Sequence, residues 1–94
     1  MQKISAKEKG LFKALLKLKT VEESCQFFRD LCTPAEIEAM TDRWQTALLL
    51  NQGLSYREIS EKTGTSTVTV TRVARCLKYG VGYQRLLERM RKGE

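Results

Sequence analysis

Residues 65–73 read TSTVTVTRV, from Thr65 to Val73. Thr and Val alternate there with period two, the pattern of a half-buried strand, and both are β-branched residues that favour strands. Extending the window to Leu77 reverses that reading. Val70, Val73, Ala74 and Leu77 fall at i, i+3, i+4 and i+7, so a helix gathers them on one face. Strand alternation needs an apolar residue at position 72 and meets Arg72 instead. A lone strand in an otherwise helical chain would also leave its backbone groups without partners, a cost larger than the small helix penalties of Thr and Val. The stretch TVTVTRVARCLKYG is therefore expected to be a helix held in place by packing.

The flanking chain supports a helical series. Four segments carry the S/T-x-x-E capping box, in which a hydroxyl and a carboxylate satisfy backbone N–H groups at a helix start: SAKE (Ser5 to Glu8), TVEE (Thr20 to Glu23), TPAE (Thr33 to Glu36) and SYRE (Ser55 to Glu58). Pro34 sits at a first helical position, where its missing donor is harmless. Helical spacing predicts a helix over about Ala6–Leu18 with Leu11, Phe12, Leu15, Leu16 and Leu18 apolar. A second spans Val21–Leu31, with Val21, Cys25, Phe28 and Leu31 on its stripe. A third spans Pro34–Gln52, with Ile37, Met40, Trp44, Ala47 and Leu48, and is closed by Gly53. A short helix then starts at Ser55, carries Ile59 inward and turns at Gly64.

A short helix, a glycine turn and a second helix make the helix-turn-helix pattern, with Ile59, Gly64, Val70 and Val73 as its spacers and the small Ser60 allowing close approach. On a helical wheel Val68, Arg72 and Arg75 lie opposite the apolar stripe, flanked by Thr69 and Thr71. Short hydroxyls suit phosphates or base edges, and Val or Thr methyls suit the thymine methyl. The β-like composition is that of a recognition helix entering a major groove.

Charge is segregated in the same direction. The 94-residue chain has a net charge of +6, yet residues 1–53 hold eight Lys/Arg against seven Asp/Glu, and residues 54–94 hold nine against four. Arg72, Arg75 and Lys78 lie between Thr63 and Val81 with no acid among them. Such an excess reads as an electrostatic footprint for a polyanion such as double-stranded DNA, or equally as a solvated basic face, so charge alone does not decide between them. Histidine is absent, which removes the usual general base and the commonest metal ligand, and no carboxylate pair replaces it, so neither an enzyme nor a metal site is expected and no cofactor is implied. Three cysteines without a C-x-x-C favour a reducing cytoplasm over a disulfide framework. No apolar run approaches a membrane span, and MQKISAKEKG has no signal-peptide core.

The region from Cys32 to Lys78 resembles the Trp repressor family, and more closely its YerC/YecD branch, through TPAE opening a long helix, DRW within it, YREIS in the first motif helix and TVTR in the second. That resemblance implies an all-α, six-helix domain over residues 1–94. Residues 1–32 would supply dimerisation helices that intertwine with a second copy, 33–53 the long central helix, 54–79 the helix-turn-helix and 83–92 a C-terminal helix. It places Arg57, Thr67, Val68, Thr69 and Thr71 toward DNA, with Arg43 and Lys78 near the backbone.

The resemblance also raises the question of a corepressor. In that family an indole is held between two arginines, which match Arg43 and Arg72. The glycine after the second arginine is Val73 here, and the serine near the ligand's amino group is Cys76. Val adds three carbons where a flat ring needs room, and Cys is a weak hydrogen-bond partner. The pocket at Arg43, Arg72, Val73 and Cys76 is expected to be vestigial, and tryptophan is not expected as corepressor. The sequence as a whole reads as a DNA-binding transcriptional repressor that acts as a homodimer on a palindromic operator. The alternative is a helix-turn-helix protein-interaction module of the transcription machinery.

Overall fold

The structure, a computed structural model, describes residues 3–93. The first two residues of the expected N-terminal segment and Glu94 at the end of the expected domain lie outside the described residues. Six helices follow one another: α1 Ala6–Leu15, α2 Val21–Leu31, α3 Pro34–Asn51, α4 Tyr56–Thr63, α5 Thr67–Tyr79 and α6 Gly82–Lys92, with no strand among the described residues. The chain divides into two units, Met1–Ile37 and Glu38–Glu94.

Three of the four capping boxes form in both directions. Ser5 with Glu8, Thr33 with Glu36 and Ser55 with Glu58 each exchange hydroxyl-to-N–H and N–H-to-carboxylate bonds. The fourth is half-made: Thr20 Oγ1 accepts from the Glu23 N–H at 3.0 Å, but the Glu23 carboxylate accepts from the Lys19 N–H instead. At its other end α1 stops three residues short of the predicted Leu18. Lys17 and Leu18 donate to Ala14 and Leu15, bonds that tighten the chain into a turn before the α2 cap. No glycine marks this stop, so periodicity alone overshoots it.

The N-terminal unit buries none of its described side chains. Leu16 is 84% and Val21 81% exposed, and Phe12 and Leu31 are also exposed. Of the expected α2 stripe, Val21, Cys25 and Leu31 lie exposed and only Phe28 is half-buried, its ring edge-on to Phe27 at 5.9 Å. Eleven residues of α2 against ten of α1 offer too little apolar area to enclose these groups.

The C-terminal unit has a core. Leu49 of α3, Ile59 of α4 and Val70 of α5 form it, with Leu50 and Leu54 packed against them. At the end of α3 the Leu54 N–H bonds to the Leu49 carbonyl and the Gly53 N–H to that of Leu50, which closes the helix and turns Leu54 back onto Leu49. α5 ends against α6: the Gln84 side-chain amide donates to the carbonyls of Leu77 at 2.6 Å and Lys78 at 3.2 Å. Gly80 is required there, because a Cβ would stand 2.7 Å from the Cys76 carbonyl oxygen. The Trp44 ring of α3 stacks on Tyr83 of α6, centroids 6.3 Å apart and planes 17° from parallel.

Candidate nucleic-acid interface

The α4–α5 pair is built from local bonds around one left-handed residue. Gly64 caps α4 at φ +72°, a conformation that costs a side-chain-bearing residue about 1–2 kcal/mol. Across the turn Ser60 donates its hydroxyl to the Thr65 carbonyl, Thr63 donates to Ile59, and the Thr65 N–H donates back to Thr63 Oγ1. Ser66 then caps α5, accepting from the Thr69 N–H at 3.2 Å. These bonds fix where the first turn of α5 begins and which way its side chains face.

Two interleaved stripes result. Val70 and Val73 are buried with Ala74 and Leu77 half-buried beside them, whereas Val68, Thr71, Arg72 and Arg75 are exposed. The exposed set repeats the i, i+3, i+4, i+7 spacing on the opposite side of the helix. With Thr67 and Cys76 it lines an open groove of about 670 Å³. The acid-free interval runs from Glu61 to Glu88, so nothing on α5 neutralises Arg72 or Arg75.

The other predicted positions are not among the residues that line this groove. Thr69 is half-buried, and its hydroxyl accepts from Ser66 Oγ at 3.2 Å. Lys78 is exposed at the far end of α5, with its Nζ 5.4 Å from the Tyr79 ring centroid. Arg57 projects from the first turn of α4, where its Nε donates to Glu61 at 3.1 Å. Arg43 is half-buried on α3 and does not line the groove. Among the four positions of the expected vestigial pocket, Arg72 and Cys76 share the groove, while Val73 is 1% exposed and belongs to the packed side of α5.

Three contributors fall outside the capping-box and apolar-stripe patterns of the sequence. Ser66 carries the cap of α5 without the Glu that marks the other caps, although a Ser just ahead of the Thr/Val run is a visible signal. Glu61 pairs with Arg57 at i+4, also legible once α4 is drawn as a helix. Gln84 reaches back seven residues to the end of α5, and no sequence spacing announces that contact.

With this geometry in place, comparison with known proteins decides the family. The Trp repressor protein family profile matches residues 6–91. The chain belongs to the Trp repressor family. The Bacillus subtilis (strain 168) protein YerC, itself uncharacterized, is 44% identical to it over 85 residues, 89% of this chain and 82% of that protein. A TrpR-like protein from Eubacterium eligens superposes with a TM-score of 0.87 at 42% identity, covering 92% of this chain and 90% of that one. A Staphylococcus aureus protein provisionally assigned as a Trp repressor gives 0.87 and 42%, over 93% and 88% of the two chains. The Trp repressor fold is a regulatory DNA-binding fold and not an enzyme fold. Among the described residues no group of His, Cys, Asp and Glu could hold a metal ion, and no helix is long and apolar enough to cross a membrane.

Proposed function

We propose that this protein is a cytoplasmic transcriptional repressor that binds a palindromic operator as a homodimer, using α5 as its recognition helix. The observation that carries the reading is the outward stripe of Thr67, Val68, Thr71, Arg72 and Arg75, set opposite the buried Val70 and Val73 and free of acidic neighbours. A positively charged helix face with short side chains near its N-terminal end suits entry into the major groove. Arg43 and Lys78 contact phosphates beside it, and Thr69 acts through its link to the Ser66 cap. The bare apolar surface of α1 and α2 supports the dimer, since a second copy supplies the area that one chain cannot. Two-fold symmetry sets the two recognition helices about 34 Å apart, one turn of DNA.

The test is recovery of bound duplexes from a random-sequence pool, followed by affinity measurement on the best of them. The recovered duplexes should share an inverted repeat. Arg57→Ala should weaken binding by about 1–3 kcal/mol and relax base preference at one position per half-site, as expected for a guanidinium that reads a guanine. Weakening equal on all sequences would make Arg57 a phosphate contact. A pool with no bound duplex would remove the proposal.

A further inference from the structure

We infer that α5 reads the operator through methyl groups, so that each half-site contains thymines recognised at their C5 methyls by Val68 and Thr71. This rests on the DNA-binding reading above and specifies its base chemistry. Val68 is 78% exposed in the second position of α5, so the fold buries little of this apolar side chain. Thr71 lies one turn further on, on the same face and lining the same groove.

The hydroxyl of Thr71 is already engaged. It donates to the Thr67 carbonyl at 2.8 Å, four residues back along the helix. A hydroxyl turned onto its own helix has spent its one proton, so it cannot donate to a base edge or a phosphate while that bond lasts. Thr71 can then offer a partner its γ-methyl and an oxygen that accepts but does not donate. Val68 and Thr71 therefore present neighbouring methyls, with Arg72 and Arg75 completing the i, i+3, i+4, i+7 face. The arginines suit phosphates or guanine, whereas the methyls have one matching feature in the major groove, the thymine methyl. The stripe holds no Asn or Gln to pair with adenine and no Asp or Glu to accept from cytosine, so the helix leans on apolar contact for its A·T positions.

Deoxyuridine differs from thymidine only in lacking the methyl, which makes it the direct probe. The tightest duplex recovered from a random pool is resynthesised with each thymine replaced in turn by deoxyuridine, and affinities are measured for the full chain. At one or two positions per half-site the wild type should bind about three- to tenfold more weakly, the range expected for a lost methyl contact. Val68→Ala should bind the thymine duplex more weakly and lose its sensitivity at one such position. Thr71→Ser, which keeps the hydroxyl bond and removes only the methyl, should lose it at the adjacent one. Helix content and melting of both variants should match the wild type, because both sites are exposed. Equal binding of every deoxyuridine duplex by the wild type, or sensitivity that survives both substitutions, would overturn the inference while leaving DNA binding intact. Failure to recover any duplex would overturn it together with the reading it rests on.

Discussion

Val68 and Val70 stand two positions apart on α5 and on opposite sides of it: Val68 is 78% exposed and Val70 is fully buried against Leu49 and Ile59. The alternation that imitates a strand in the sequence is the juxtaposition of two helical stripes, one for the core and one for a partner. The same substitution at the two sites should therefore read out two different properties. Val70→Ala should cost about 1.5–3 kcal/mol of stability, the loss of two buried methyls plus a cavity. Val68→Ala should change stability by less than about 0.5 kcal/mol, as exposed sites do. Urea denaturation of the two variants checks this, and equal losses would contradict the assigned faces.

Stability should also depend on pH through the helix caps. The Ser55 backbone N–H, and then its hydroxyl, hold the Glu58 carboxyl below its ordinary value, and Thr33 does the same to Glu36. A carboxylate whose folded-state pKa is depressed contributes stability that is present above its unfolded value, about pH 4–5, and disappears as pH falls through the lowered folded value. Acid titration of the melting temperature should show a decline in that window. Glu36→Gln with Glu58→Gln should flatten it, and an unchanged profile would remove both caps from the acid response.

L-Tryptophan should leave DNA affinity unchanged. Val73 is buried on the packed side of α5, whereas Arg72 and Cys76 face the open groove and Arg43 does not line it, so these positions do not come together around one flat ring. Calorimetry should detect no micromolar binding. DNA binding that appears only when tryptophan is added would return Arg43 and Arg72 to ligand duty.

Sedimentation at micromolar concentration should give a dimer. Leu11 and Phe12 on α1 and Leu16 at its C-cap are exposed and Leu15 is half-buried, and Phe12→Glu should shift the protein toward monomer by placing a charge in the proposed interface. A wild-type monomer would contradict the proposed assembly.

Much of this fold is legible in the amino-acid sequence. The boxes at Ser5, Thr33 and Ser55 announce their helices because a capping box is a local device, complete within four residues. The Val70, Val73, Ala74, Leu77 stripe is legible for the same reason, since periodicity is written along one helix. What escapes depends on residues distant in sequence or on turns without a marker. The α1 stop after Leu15 follows from hydrogen bonds in a turn without glycine, and the Gln84 amide reaches α5 only because α6 folds back beside it. The expected α2 stripe shows the same limit, because an apolar periodicity predicts that a face will be covered without saying which chain covers it. At the interface the residue types on α5 are plain from the sequence. That the Thr71 hydroxyl is turned onto Thr67 is not, and this bond changes what that face of the helix can offer a partner.

The most direct test of α5 as a DNA-binding surface is the salt dependence of affinity for one duplex, compared between the wild type and Arg72→Ala/Arg75→Ala. Displaced counterions make log K fall linearly with log salt, by about 0.9 for each phosphate neutralised. With α5 on DNA, the wild type should show a steep slope and the double variant a slope shallower by roughly one for each arginine contact removed, with helix content unchanged. A wild-type affinity indifferent to salt, or a double variant with the wild-type slope, would contradict it.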